Sequence, residues 1–291
     1  MGIVAKRTMR EALPGFVALC HPLPVFFHAL AVSIFALLAG WPHIAWGAFV
    51  LVVLAHSAMQ LAIAVHNDYC DRYLDAQSKR SKPIVRGLVR PREALLLSIV
   101  FIVLMFMFLL PLNPLALLIS VLYLLFALGY NLGLKSTPLS GIVFALAIPL
   151  IPVYAFVGMG RIVPFIFWFI PVAALVGIAL NLANSLPDLE DDAAHHARTL
   201  AVVLGMRATL LLIPLLIFCG VCIVVVLSIT HLVATRFWII LPTLIVVGAL
   251  LGSLLIFFSP PIAPSRRKSY FNLVVVTCLV LAAGWLISIL V

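Results

Sequence analysis

Long runs of apolar residues, separated by short polar segments, make up most of this chain. A helix needs about 20 apolar residues to cross roughly 30 Å of hydrocarbon. Nine runs of about that length occur, at Gly15–Gly40, His43–Val65, Ala94–Leu110, Leu115–Leu132, Leu139–Val157, Val163–Ala183, Ala208–Ile229, Phe237–Phe258 and Phe271–Val291. The pattern predicts an all-α integral membrane protein with nine transmembrane helices, and we expect residues 1–291 to form a single polytopic domain.

The composition and the positions of the charges agree with this topology. The chain is 65% hydrophobic and 9% charged, with a mean hydropathy of +1.29, which excludes a soluble globular domain. If nine helices alternate in direction, only Arg161 and Arg236 of the 18 Lys and Arg residues lie opposite the N-terminus. The positive-inside rule therefore predicts a cytoplasmic N-terminus and a C-terminus on the opposite side.

All nine acidic residues also fall on the predicted cytoplasmic side, although membrane insertion alone does not require this. The net charge of +9 predicts a basic cytoplasmic surface that faces anionic lipids or an anionic substrate. Nothing in the charge pattern indicates binding to nucleic acid. The acids therefore call for a chemical explanation on that side of the membrane.

Two clusters of acids follow the second and the sixth predicted helices. In "NDYCDRYLD", Asp68, Asp71 and Asp75 are spaced by three and four residues, so they share one stripe of a helix. In "DLEDD", Asp188 and Asp192 are four residues apart and share a face. Since both helices are even-numbered, both clusters reach the same side of the membrane.

Carboxylates at such spacings repel one another unless cations lie between them. Magnesium uses hard oxygen ligands, typically one or two protein carboxylates completed by waters and substrate phosphates. Two facing acid clusters would therefore hold a diphosphate through bridging metal ions. The remaining negative charge would be neutralised by nearby basic residues, namely Lys79, Arg80, Lys82, Arg86 and Arg198.

Two other interpretations compete with a metal-diphosphate site. Either cluster alone could be a solvated loop with surface ion pairs, each worth about 0 to 1 kcal/mol. A cation- or proton-coupled transporter would also place acids in a membrane protein. Transport acids usually lie at mid-membrane depth, whereas these acids lie at helix ends among lysines, which favours the diphosphate site.

The motifs resemble those of the UbiA superfamily of intramembrane prenyltransferases. "NDYCDRYLD" fits the pattern NDxxDxxxD and "DLEDD" fits DxxxD. "SKPIVRG", "YNLGLK" and "ARTLAVVLG" also resemble family segments, with Lys82 where arginine is more usual. The stretch "AAHHA" departs from the glycine and basic residues often found after the second motif, which leaves Arg198 as the candidate phosphate contact there.

The resemblance implies nine helices around a central cavity, with a cytoplasmic cap that carries both Asp-rich motifs. It implies Mg²⁺-dependent transfer of an isoprenyl group from an allylic polyprenyl diphosphate to a lipophilic acceptor, with two Mg²⁺ ions. Metal and catalytic roles are implied for Asp68, Asp71, Asp75, Asp188 and Asp192. Tyr130 would stabilise the allylic cation or bind diphosphate, unless it only anchors a helix end. Diphosphate binding is implied for Asn67, Lys79, Lys82, Arg86, Lys135 and Arg198.

Several assignments stay open at this level. Glu190 and Asp191 lie off the second motif's face and are interpreted as solvated or ion-paired, and His66 as helix packing. His195 and His196 are either surface residues or a base near the acceptor. An aromatic quinone precursor is favoured as the acceptor over a non-aromatic lipid or a sugar phosphate, and terpene cyclisation on the same fold would need no acceptor.

Overall fold

A computed structural model describes residues 9–78, 81–257 and 262–291, and within these ranges the chain is helical without strands. The elements are α1 (Met9–Leu19), α2 (Pro22–Gly40), α3 (Trp46–Ser78), α4 (Pro91–Leu109), α5 (Pro114–Asn131), a 3₁₀ turn (Leu134–Ser136), α6 (Ser140–Ala147), α7 (Leu150–Gly158), α8 (Ile166–Ser185), α9 (Leu189–Ala194), α10 (Leu200–Ile229), α11 (Phe237–Phe257) and α12 (Pro264–Leu290).

Nine spans within the described ranges are long and apolar enough to cross a membrane, which confirms the predicted number. Seven are single helices, Leu200–Ile229 (α10) is interrupted at Gly205, and Ser140–Gly158 consists of α6 and α7 in succession. The helices α1 and α9 are too short to cross hydrocarbon. The chain is therefore an integral, multi-pass membrane protein.

Some predicted helix ends were wrong because local backbone chemistry overrides the apolar pattern. The first predicted segment, Gly15–Gly40, is divided between α1 and α2, since His21 has a left-handed conformation (φ 44°) and Pro22 starts a new helix. The helix α10 begins at Leu200, where the Thr199 hydroxyl accepts a hydrogen bond from the Val202 amide. Gly205 (φ 78°) then interrupts the helical geometry, so the continuous part of α10 starts close to the predicted Ala208.

The first aspartate motif lies on an unbroken helix that is longer than the membrane is thick. The 33 residues of α3 extend about 50 Å at 1.5 Å per residue, compared with roughly 30 Å of hydrocarbon. Asn67 comes about 32 Å along this helix from Trp46. The motif therefore starts after a length of helix that is sufficient to cross the hydrocarbon layer.

Close contact between α6 and α8 helps to position the second motif. Gly177 lies so near the carbonyl of Phe144 that a Cβ added to it would be 2.4 Å from that oxygen. Small residues allow transmembrane helices to approach in this way. On the same pair of helices, Ser140 donates a hydrogen bond to Asn181 at 3.1 Å. These contacts fix α8, whose C-terminal end leads directly into the second motif.

An apolar cavity of about 220 Å³ lies inside the bundle between α2, α6, α7, α8 and α12. Its wall contains the aromatic rings of Phe27, Phe35, Phe144, Phe169 and Trp285. Phe169 and Trp285 stack with their ring centroids 4.3 Å apart. Asn184, on the last turn of α8, also lines the cavity, so the cavity extends to the end of the bundle that carries the aspartate motifs.

Candidate active site

The first motif presents its acids towards the protein interior. Asp68 and Asp75 are 2% and 5% exposed, respectively. The Asp71 side chain is 19% exposed. This burial distinguishes the motif from a solvated loop, because carboxylates are rarely buried unless they are paired or bind cations.

Asp68 is held by two groups from different parts of the chain. Lys82 Nζ donates a hydrogen bond to Asp68 Oδ1 at 2.6 Å, and His21 Nε2 lies 2.9 Å from the same oxygen. Lys82 was predicted to bind phosphate, whereas His21 was missed. The only sequence signal for His21 is its place just before Pro22, and the approach of α2 to α3 brings it to Asp68.

Lys135 bridges Asn67 and Asp71. Its ammonium donates to Asn67 Oδ1 at 2.9 Å and forms an ion pair with Asp71 Oδ1. Lys135 lies in the 3₁₀ turn that follows α5, where Gly133 has a φ of 145° that favours glycine. Two lysines from separate loops therefore neutralise the first two acids of the motif.

The second motif lies on a short helix at the end of α8. Asp188 immediately precedes α9, and the amide of Asp192 donates to the Asp188 carbonyl at 2.8 Å. Pro187 separates α8 from α9, which is consistent with the inability of proline to continue a helix. The two acids are thus one helical turn apart, as their spacing predicts.

Arg267 of α12 fastens this short helix to the bundle. It is 3% exposed, donates to the carbonyl of Leu186 at 3.1 Å, and forms a two-pronged ion pair with Glu190. The hydrogen bond from Arg267 lowers the pKa of Glu190 below its usual range. Glu190 is therefore ion-paired, one of the two roles that the sequence left open. No sequence signal identified Arg267 within the run Arg266–Lys268.

The two motifs face a common space beside Tyr130. The electrostatic fields of both Asp192 and Asp71 act on the Tyr130 hydroxyl, which also lies near the amide of Asn184. The loop after α9 is joined to the Lys135 turn, because the Arg198 amide donates to the Ser136 carbonyl at 2.9 Å. Acids from α3 and α9 thus lie near Tyr130, at the end of the cavity that Asn184 lines.

Other predicted residues lie nearer the edge of this space. Asp75 is buried one turn beyond Asp71, and the side chains of Arg86 and Arg198 are exposed. Lys79 and Arg80 lie outside the described residues. His195 and His196 are exposed on the loop after α9. His66, interpreted as packing, contacts Cys70 and Asn131.

The donor set fits Mg²⁺ that is shared with a phosphate ligand. Within the described ranges, no group of three His, Cys, Asp or Glu side chains could hold a metal ion unaided. Magnesium, however, commonly uses one or two carboxylates together with substrate phosphates and water. Asp68 Oδ2 is buried and has no hydrogen-bond partner among the described residues, so a ligand atom is still available on the first motif.

Comparison with known proteins identifies relatives of this chain. The model of the UbiA prenyltransferase family matches residues 25–276. The 4-hydroxybenzoate octaprenyltransferase of Nitrosomonas eutropha is 32% identical over 163 residues, which cover 54% of this chain and 56% of that protein. The enzyme of the same name from Neisseria meningitidis is 34% identical over 154 residues, 50% and 51% of the two chains. The chain thus matches about half the length of these relatives.

Solved structures share the fold over nearly the whole chain. A structure of digeranylgeranylglyceryl phosphate synthase superposes with a TM-score of 0.73 at 17% identity, covering 96% of this chain and 99% of the other. A UbiA homologue from Archaeoglobus fulgidus, bound to DMAPP and Mg²⁺, gives a TM-score of 0.69 at 19% identity, covering 92% and 99%. The predicted fold class, an all-α membrane bundle, is therefore confirmed.

Proposed function

Because the chain belongs to the UbiA prenyltransferase family, we propose that it transfers an isoprenyl group from an allylic diphosphate to a lipophilic acceptor and releases diphosphate. The observation that carries this proposal is the pairing of two aspartate motifs and two lysines with the mouth of an apolar cavity. Such an arrangement suits a ligand with an anionic head and an apolar chain.

In this proposal, Asp68, Asp71, Asp188 and Asp192 bind two Mg²⁺ ions, and Asp75 is a further ligand or supports one. When bound, Mg²⁺ neutralises the charge that develops on the departing diphosphate. Lys82 and Lys135 then exchange their carboxylate partners for phosphate oxygens. Asn67, Lys79, Arg86 and Arg198 supply further polar or cationic contacts around the diphosphate.

The reaction separates charge at the boundary between the acids and the cavity. The bond between the allylic carbon and oxygen breaks, and its electron pair leaves with the diphosphate, whose charge the lysines stabilise. The ring of Tyr130 lies at this boundary and stabilises the positive allylic carbon through its face. The apolar wall excludes water, so the acceptor rather than water attacks and then loses a proton.

An aromatic quinone precursor is the acceptor we favour. Support comes from the relatives named 4-hydroxybenzoate octaprenyltransferase, which match about half of their length here. We further propose that the N-terminus and the site face the cytoplasm and that the C-terminus lies opposite, in line with the distribution of Lys and Arg. A single cysteine is placed at one terminus of the protein or the other, and its labelling in intact cells tests this orientation.

The deciding experiment measures diphosphate release by the purified protein in detergent. Geranylgeranyl diphosphate and Mg²⁺ are supplied with and without a panel of acceptors, and each reaction is repeated with EDTA. Release that needs both metal and one acceptor supports the proposal and names the acceptor. Metal-dependent release of diphosphate without an acceptor favours cyclisation. If no diphosphate is released under any condition but the protein carries an ion flux in liposomes, a transporter is favoured.

A further inference from the structure

A second polar cluster lies within the bundle and has no part in the reaction proposed above. It consists of His28 on α2, His56 and Gln60 on α3, and Tyr123 on α5. His56 and Gln60 are 2% and 6% exposed, and their side-chain nitrogens are 3.3 Å apart. Gln60 is also a hydrogen-bond partner of the Tyr123 hydroxyl. Burying polar side chains among apolar helices is unfavourable unless their hydrogen bonds are satisfied.

His28 connects this inner cluster to the cavity. Its imidazole lines the cavity, and its ring centroid lies 5.6 Å from that of His56. A neutral imidazole offers one donor nitrogen and one acceptor nitrogen. Among the described residues, His28 Nδ1 has no hydrogen-bond partner, and neither has His56 Nδ1 behind it. His28 therefore lines an otherwise apolar cavity and has a buried ring nitrogen that is not hydrogen-bonded within the described residues.

The depth of His28 places it below the diphosphate site. His21, which contacts Asp68, and His28 are seven residues apart, which corresponds to about 10 Å along a helix. A ligand that contacts His28 thus lies about two helical turns inside the aspartate motifs. This is the region in which an acceptor would meet the allylic end of the isoprenyl chain.

The chemistry of the cluster selects a neutral polar group. Within the described residues, the cavity lining includes no Lys, Arg, Asp or Glu, and the inner cluster contributes only imidazole, amide and phenol groups. A charged group would lose its hydration there without gaining a counter-ion. A hydroxyl can both donate to and accept from an imidazole. An aromatic ring that carries the hydroxyl can pack against the aromatic side chains of the cavity wall.

We propose that His28, backed by His56 and Gln60, is the specificity-determining group that hydrogen-bonds a hydroxyl on the acceptor ring. This inference rests on the proposed function, because it assumes that the cavity receives the acceptor. Such a site orients the ring with its hydroxyl towards the bundle interior. Any carboxylate on the same ring then points towards the lysines of the aspartate motifs.

The test compares two probes that differ only in hydrogen bonding, 4-hydroxybenzoate and 4-methylbenzoate. Their dissociation constants are measured by calorimetry on the purified full chain with Mg²⁺, with and without geranyl thiodiphosphate, a poorly reactive donor analogue. Wild type should prefer the hydroxyl probe about tenfold, the value expected for one hydrogen bond. His28→Phe should reduce that preference to less than about twofold, whereas His28→Asn should retain part of it.

Phe27→Leu is the matched control, because Phe27 also lines the cavity but makes no hydrogen bond through its side chain. It should change the affinities of both probes by a similar factor. An unchanged preference in His28→Phe, or a wild type that binds both probes equally or neither, would overturn the inference. Binding of the donor analogue is measured separately. Failure of the analogue to bind counts against the proposed function and not against the hydroxyl preference.

Discussion

The two aspartate motifs are positioned by different means. Asp68, Asp71 and Asp75 project from one continuous helix of 33 residues, so helical geometry alone sets their spacing. Asp192 lies on α9, a helix of six residues, and Asp188 immediately precedes that helix. Arg267 of α12 attaches this segment to the bundle. The first motif thus depends on secondary structure, whereas the second depends on a tertiary contact.

Different basic residues contact the segments that carry the two motifs. Lys82 and Lys135 contact Asp68 and Asp71 directly. In the second motif, Arg267 forms an ion pair with Glu190, which is not one of the proposed metal ligands. The first motif therefore combines proposed metal ligands with lysines that we propose bind phosphate, and the segment of the second motif carries a contact that attaches it to α12. Substitutions can separate these roles.

The largest effect should follow removal of one ligand from each motif. Asp71→Asn and Asp188→Asn should each reduce turnover by about 10² to 10³-fold, because each replaces a charged oxygen ligand with a neutral amide. Mg²⁺-dependent diphosphate release gives the rate, and thermal unfolding shows that the bundle persists. Asp191→Asn is the control, since Asp191 is exposed on the same short helix and should stay active. Normal turnover in either ligand variant would refute the two-motif metal site.

Removing a lysine from the first motif should have the next largest effect. Lys82→Ala should reduce turnover by roughly 10- to 100-fold, because a charge-assisted hydrogen bond contributes about 1.5 to 3 kcal/mol. Lys82→Arg should retain much more activity, since a guanidinium still binds phosphate. Turnover is measured beside Lys268→Ala, which replaces an exposed residue near the N-terminal end of α12 and should be neutral. Equal losses in Lys82→Arg and Lys82→Ala would instead indicate a role specific to the ammonium group.

Breaking the contact that holds the second motif should have a smaller effect. Arg267→Leu leaves the Leu186 carbonyl without its donor, and we expect the free energy of unfolding to fall by about 1 to 3 kcal/mol. Turnover should fall about tenfold because the variant binds Mg²⁺ more weakly, since a misplaced ligand lowers metal affinity by about 10- to 100-fold. Excess Mg²⁺ should then restore part of the rate in Arg267→Leu but not in Asp188→Asn. Equal behaviour of these two variants in a Mg²⁺ titration would contradict a positioning role.

The smallest predicted effect is a pH dependence of the same contact. The pKa of Glu190 is lowered by its hydrogen bond from Arg267, so the contact stabilises the folded protein fully above the unfolded pKa of about 4.3. That stabilisation is lost as the pH falls through the lower folded value. The difference in melting temperature between wild type and Glu190→Gln should therefore shrink below about pH 4.3. A difference that is constant from neutral to acidic pH would show that ionisation of Glu190 is irrelevant.

Much of the site could be predicted because regular helices convert sequence spacing into geometry. The spacing of three and four residues placed Asp68, Asp71 and Asp75 on one face, and the structure has them on one helix. The contact of Lys135 with Asn67 and Asp71 also joins residues that the motifs had suggested. His21 and Arg267 were missed because they lie outside every motif that carries the resemblance, and their partners are 47 and 77 residues away along the chain. No local pattern encodes contacts at such separations.

The sequence by itself determined the number of membrane spans, that both acid motifs lie at one end of the bundle, and the spacing within each motif. These follow from hydrophobic length, charge distribution and helical periodicity, which are all local properties. Only the tertiary structure decided which cations reach which acids, where α1 separates from α2, and that His28 meets His56 beside the cavity. Those outcomes depend on how separate helices pack, because packing brings together side chains that the sequence keeps far apart.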